Sequence, residues 1–182
     1  LIAGHGYLGQ EVSRQAGGAG WQVTALSLSG DDFAIACDLS ARSEVDKLRA
    51  QVPAPRTLIA SASSGRGGAD AYRAVFVDGT RHLLETFPDA HLIFVSSTSV
   101  YHQLDGSMVT EASPTEPDRE TSRLLLEAEE QVLSARGTVA RLAGIYGPAR
   151  SVILRRFLED LVGQTGSAAE IVLAGRSYPR IC

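Results

Sequence analysis

Gly4-His5-Gly6-Tyr7-Leu8-Gly9 is the run with the clearest chemical content in this 182-residue chain. It matches the G-x-G-x-x-G pattern, follows the apolar Leu1-Ile2-Ala3 and opens a helix-like stretch. In that setting Gly4 permits a tight turn and Gly6 lets the backbone approach a pyrophosphate without an intervening Cβ. Gly9 lets the helix lie close to the strand. The backbone N–H groups around Tyr7 and Leu8, with the positive helix terminus, then attract phosphates. The motif therefore predicts a bound dinucleotide, NAD or NADP, and His5 reads as an exposed loop residue. The next strand should end near Leu26 or Ser27, where an acidic residue would bind the ribose hydroxyls of NAD and an Arg would favour NADP. Neither stands there. Ser27 and Ser29 could bond a hydroxyl or a 2′-phosphate, Asp31 and Asp32 read as turn residues, and the coenzyme choice stays open.

Other reactive residue types form weaker patterns. Ser97 with His102 or His82 could be drawn as a hydrolase triad, but no G-x-S-x-G elbow surrounds the serine. The four histidines show no metal-ligand spacing, so no metal is expected; His82 reads as a helix-surface residue and His91 as the start of a strand. Glu127, Glu129 and Glu130 read as the solvated face of one helix, with Glu127 four residues from Arg123. Arg155 and Arg156 could clamp a substrate phosphate or face solvent.

These residues must be positioned by alternating strands and helices, a pattern of βαβ units that predicts a parallel sheet covered on both faces. A first strand ends at Ala3. A helix spans about Tyr7 to Ala16, Trp21 to Leu26 is the second strand, and Phe33 to Cys37 is the third. Ala41 to Gln51 is helical, Thr57 to Ala62 is a buried strand, and Ala69 to Phe87 places Ala71, Val75, Leu83 and Leu84 at mostly helical spacing. His91 to Ser96 is the fifth strand, Arg119 to Arg136 a helix and Thr138 to Leu142 the sixth strand, ahead of Gly144 and Gly147-Pro148. Six strands fit a doubly wound α/β fold of Rossmann type, with helices in three-layer αβα order. Ser64 to Gly68 reads as a mobile loop or as an ordinary strand-to-helix connection.

Composition narrows the function classes. The chain is 44% hydrophobic, enough for a sizeable core, and its formal net charge of −4 presents no basic surface for nucleic acid or an anionic membrane. No run approaches the roughly 18 apolar residues of a membrane span, and no secretory signal opens the chain. Cys37 and Cys182 lie far apart, with Cys37 in a core-like run, which suits a reduced, cytoplasmic setting. Both ends read as cut. The first strand is short, and Ile171 to Ala174 reads as a new strand shortly before the last residue. The expected division is a dinucleotide-binding domain over residues 1–150 and the beginning of a substrate region over 151–182.

Several runs together resemble the extended and atypical short-chain dehydrogenase/reductases, the group of NAD-dependent epimerase/dehydratases and nucleoside-diphosphate-sugar epimerases. They are GHGYLG from Gly4, Cys37-Asp38-Leu39, VDGTRHLLE from Val77, FVSSTSVY from Phe94 and RLAGIYGP from Arg141. The resemblance implies that Asp38 and Leu39 contact the adenine, that Ala60, Ser61 and Ala62 flank the ribose and phosphates, and that Ser96 and Ser97 lie beside the nicotinamide. Each position falls at a strand's carboxyl end, where an open α/β sheet forms its ligand crevice.

The departures from that family concern the chemistry. Active members pair a Ser or Thr, here Ser97, with a Tyr-x-x-x-Lys helix motif in which the Tyr exchanges a proton. Aligning on Leu124 and Glu127 puts Arg119 at the Tyr position and Arg123 at the Lys position. A guanidinium stays protonated, so neither replaces the tyrosine, although Arg123 could keep a positive charge near the coenzyme. Asp78 stands where many relatives have Asn. Tyr101, four residues beyond Ser97, and Tyr146, in the Ile145-Tyr146-Gly147-Pro148 turn, read as packing or substrate-contact residues. The expected function is an NAD(P)-binding oxidoreductase or epimerase-like enzyme for a small carbonyl, alcohol or nucleotide-sugar substrate. The alternative is a catalytically impaired coenzyme-binding sensor. By the same resemblance, a homodimer through helices of the sheet layer is expected.

Overall fold

The computed structural model describes residues 1–65, 67–103, 105–147 and 150. The expected strand over 171–174 and the Arg155–Arg156 pair lie outside them. Six strands, β1 (Ile2–Ala3), β2 (Ala25–Ser27), β3 (Ala34–Ala36), β4 (Thr57–Ala60), β5 (His91–Ser97) and β6 (Thr138–Leu142), form one sheet in the order β3-β2-β1-β4-β5-β6. The pairings from β3 through to β5 are parallel. This is the doubly wound order, and its reversal point lies between β1 and β4.

The helices are α1 (Tyr7–Gly18), α2 (Arg42–Gln51), α3 (Ala69–Tyr72), α4 (Gly79–Thr86) and α5 (Glu120–Ser134). Right-handed crossovers put α1 on one face, and α2, α4 and α5 on the other because the chain turns back across β1. On that second face α4 packs against both α2 and α5. The core is the apolar layer beneath them, including Leu26, Val45, Leu48, Leu58, Leu83, Phe94, Leu125 and Val132. The chain divides into two compact units. One is Leu1–His102 with Thr115–Arg141, and the other is Gln103–Pro114 with the chain from Leu142.

Three elements depart from the sequence pattern. The second strand runs only over Ala25–Ser27, because its partners β1 and β3 engage it at those residues, and Trp21 is left 62% exposed. The third strand likewise covers only Ala34–Ala36. The single helix expected over 69–87 is three pieces, with Arg73–Asp78 wound as a π-helix between α3 and α4. His82, expected on the surface, is buried along with Gly79, Leu83 and Thr86. Its Nδ1–H donates to the Leu39 carbonyl at 2.9 Å, the proton being assigned to Nδ1 because a carbonyl can only accept.

Candidate functional site

The carboxyl ends of β1, β2 and β4 are tied together by backbone. The amides of Gly4 and His5 both donate to the Leu26 carbonyl, and the Ser61 amide donates to that of Ala3. The Ser61 hydroxyl adds a 3.0 Å bond to the Gly4 carbonyl. Gly4 has φ +111, a region that side chains rarely enter, and a Cβ there would strike the backbone of Ser61 and Ala62. A Cβ on Gly9 would run into the Gly4 carbonyl oxygen, so this glycine lets α1 press onto the end of β1. Around Gly6 the outcome is opposite, since a Cβ there would meet nothing within 4 Å.

Gly6 is also the N-cap of α1, in extended conformation and without a side-chain hydrogen bond to cap the helix. The first turn of a helix has no preceding carbonyls for its N–H groups, and its dipole is positive at that end. Glycine on a helix terminus, open space over Gly6 and backbone walls at Gly4 and Ala62 make a cradle that fits a pyrophosphate. Tyr7 and Leu8 begin α1 beside it, at the 36%-exposed and half-buried positions respectively.

The flanking residues are fixed by turn chemistry. The Ser27 hydroxyl accepts the Gly30 amide at 3.0 Å, which closes the β2–β3 turn. Asp38 Oδ1 accepts both the amide (2.9 Å) and the hydroxyl (2.7 Å) of Ser40, while its own amide donates to Glu44 at 2.7 Å. Leu39 is buried, and His82 holds its carbonyl from α4. Ala60 and Ala62 lie on either side of Ser61 at the end of β4. Between these segments, Cys37 is buried and its thiol is pushed up from an ordinary value near 9 to about 11, by burial and then by the Glu44 and Asp38 charges.

At the end of β5, Ser96 and Ser97 separate. Burial alternates along this strand, with Leu92, Phe94 and Ser96 turned to the helix layer and Ser97 to the other side. The two serines expected side by side at the nicotinamide thus present hydroxyls in opposite directions. Ser97 Oγ accepts the Ser99 amide at 3.1 Å and caps the short turn Thr98–Val100, whose far end Tyr101 closes by donating its amide to Thr98. The Ser96 hydroxyl donates to Glu129 Oε1 at 2.5 Å.

Glu129 is the main residue that sequence reasoning misplaced. It is 2% exposed rather than solvated. Both of its carboxylate oxygens accept from Arg141, at 2.6 to 3.1 Å. Arg141 Nη1 also donates to the Tyr101 hydroxyl at 2.8 Å. The hydrogen bond to Glu129 holds the Arg141 guanidinium further above its ordinary value than burial lowers it, and the Tyr101 bond adds to this. The clue was the α5 spacing, since Ser122, Leu125, Glu129 and Val132 repeat at three- and four-residue steps and are all buried.

Arg119 is the exposed N-cap residue of α5, and Arg123 lies on the opposite, exposed side of the helix. Arg123 donates to the Asp118 carbonyl at 3.2 Å, and Glu127, four residues further on, pairs with Arg73 of the π-helix at 3.1 Å. Asp78 pairs with Arg81 at 2.7 Å. Tyr101 is half-buried against the core, whereas Tyr146, in the other unit, is 86% exposed. Among the described residues no helix is long and apolar enough to cross a membrane, and no group of three or more His, Cys, Asp or Glu could hold a metal ion.

A Rossmann sheet with a glycine cradle at its switch point defines a dinucleotide-binding class of protein. The model of the NAD dependent epimerase/dehydratase family matches residues 1–180, and the chain belongs to that family. No curated protein sequence matches it significantly. Among solved structures it is similar to a protein from Methylobacillus flagellatus described as an NAD-dependent epimerase/dehydratase. The identity is 29% and the TM-score 0.71, with 86% of this chain and 57% of that one covered. UDP-glucose 4-epimerase from Brucella ovis in complex with NAD shares the fold at TM-score 0.66 and 21% identity, covering 90% of this chain and 60% of that one. A dTDP-4-dehydrorhamnose reductase from Clostridium acetobutylicum does so at TM-score 0.68 and 20% identity, covering 89% and 59%. The chain therefore spans somewhat over half the length of these relatives.

Proposed function

We propose that this chain is the coenzyme-binding part of an NAD-dependent epimerase/dehydratase-type oxidoreductase. The observation that carries the reading is the cradle, in which Gly4 and Gly9 are closed by backbone while the space over Gly6 is open. In this reading Gly6 and the first turn of α1, with Tyr7 and Leu8, hold the pyrophosphate. Asp38 and Leu39, kept in place by Ser40, Glu44 and His82, face the adenine. Ser27, Ala60, Ser61 and Ala62 flank the riboses and phosphates. Ser96 contributes backbone only, because its hydroxyl is committed to Glu129. Ser97 orients the substrate oxygen, Arg123 supplies positive charge at the rim, and Tyr101 and Tyr146 contact the substrate. The nicotinamide, when bound, accepts or returns a hydride from a carbon next to oxygen. The substrate in this reading is a nucleotide sugar or a smaller carbonyl or alcohol.

NAD is preferred to NADP in this reading. No Lys or Arg occurs between Arg14 and Arg42, so the β2–β3 turn offers a 2′-phosphate no cation, while Asp31, Asp32 and Asp38 would repel it. Titration calorimetry of the chain with each coenzyme tests the proposal. NAD should bind at least tenfold more tightly than NADP; equal or reversed affinities contradict the preference, and no binding of either contradicts the coenzyme reading itself.

A further inference from the structure

The family's proton-exchanging tyrosine belongs on α5, and here Arg119 stands at that helix's N-cap and Arg123 on its exposed side instead. The hydroxyl that the structure does organise near a strand end is that of Tyr101. Its position is fixed twice. Its amide closes the short turn that Ser97 opens, and its phenol oxygen accepts a 2.8 Å bond from Arg141. Arg141 is held in turn by both oxygens of the buried Glu129, and Ser96 binds the same carboxylate from β5. The donor to the phenol therefore comes from a side chain anchored to two other elements, α5 and β5.

We propose that Tyr101 is the residue that exchanges a proton with the reacting oxygen of the substrate, with Arg141 and Glu129 as the residues that position it. The proposal rests on the coenzyme reading above. In the direction of reduction, the substrate carbonyl carbon gains a hydride from the reduced dinucleotide. Its oxygen takes the Tyr101 hydroxyl proton and the phenol oxygen is left negative. In the direction of oxidation the phenol oxygen takes the proton of the substrate hydroxyl as the hydride leaves the carbon for the oxidised dinucleotide. A charged N–H already pointing at the phenol oxygen stabilises the negative charge that develops there, without having to reorient first. Among the described residues nothing accepts the phenol's own proton, which leaves that proton for a ligand. Glu129 neutralises Arg141 and fixes its plane, so the guanidinium can sit partly buried beside the phenol without being left as an unpaired charge.

The test uses the full chain with Tyr101→Phe, Arg141→Lys and Arg141→Met. Calorimetry with NAD comes first. Tyr101→Phe should bind NAD within twofold of wild type, and failure of the wild type to bind would overturn the coenzyme reading rather than the role of Tyr101. Next, NADH formation is followed with a panel of UDP- and dTDP-sugars and simple secondary alcohols. The wild type should turn over at least one of them, and Tyr101→Phe should lower kcat roughly 100-fold with little change in KM. Arg141→Met should approach the Tyr101→Phe loss, and Arg141→Lys, which keeps a charged donor, should recover part of it. The third measurement does not depend on turnover. In protein labelled with 13C at the tyrosine ring carbon that bears the hydroxyl, the signal missing from Tyr101→Phe should shift in Arg141→Lys. An NAD-bound wild type inert to the whole panel overturns the proposal. So does a Tyr101→Phe enzyme within threefold of wild type, or a Tyr101 signal that Arg141→Lys leaves unmoved.

Discussion

The two sides of the sheet's switch point build their parts of the site from different materials. Around β1, β2 and β4 the walls are backbone, with carbonyls and amides of Ala3, Gly4, Leu26, Ser61 and Ala62 placed by strand pairing and by absent Cβ atoms. Around β5, α5 and β6 the framework is made of side chains, with Ser96, Glu129, Arg141 and Tyr101 linked across three elements. A backbone wall suits a ligand part that is the same in every reaction, such as a pyrophosphate. A side-chain network can change with the chemistry. This chain follows that division, with a glycine cradle on one side and the Ser96–Glu129–Arg141–Tyr101 network on the other.

The largest effect should come from breaking the side-chain half at its buried charge. Glu129→Ala leaves Arg141 without its partner and should cost about 3–5 kcal/mol in urea unfolding. A loss below about 1 kcal/mol would show that the pair is not buried in solution. Gly9→Val attacks the backbone half, where its side chain meets the Gly4 carbonyl. It should cost roughly 2–4 kcal/mol by the same measurement, from overpacking.

Cys37 allows a test by pH. Its thiol keeps its proton up to about 11 in the folded chain but only to about 9 when unfolded. Stability from this group is intact below pH 9 and falls as the pH rises to 11, since only the unfolded chain releases the proton across that window. The loss should reach about 2–3 kcal/mol and should be absent from Cys37→Ala. Parallel pH profiles for the two proteins would contradict the burial of the thiol. Smallest of all should be Arg73→Ala, which breaks the exposed pair with Glu127 and should cost under about 1 kcal/mol. It is the control for the Glu129 result.

The same division explains what could be read from the sequence. The backbone half was legible because glycine spacing, strand ends and turn residues are local properties, and Gly4, Gly6, Gly9, Asp38 and Ser61 lie where the pattern places them. The side-chain half was not. Glu129 looks like its solvated neighbours Glu127 and Glu130 until Arg141 of β6 is brought beside it. Ser96 and Ser97 are adjacent in sequence, yet the period of a strand sends their hydroxyls to opposite faces. His82 was lost for another reason: it shares the inward face of α4 with Gly79, Leu83 and Thr86, but its polar type reads as surface until the Leu39 carbonyl is brought beside it. Trp21 has strand-forming character but no partner strand at its level.

If the space over Gly6 holds the coenzyme, Gly6→Val separates binding from folding, as read by calorimetry with NAD alongside thermal unfolding. A Cβ at Gly6 meets nothing within 4 Å in the protein, so the variant should unfold within a few degrees of wild type while its NAD affinity falls at least 100-fold. NAD bound as tightly by Gly6→Val as by wild type would contradict the account.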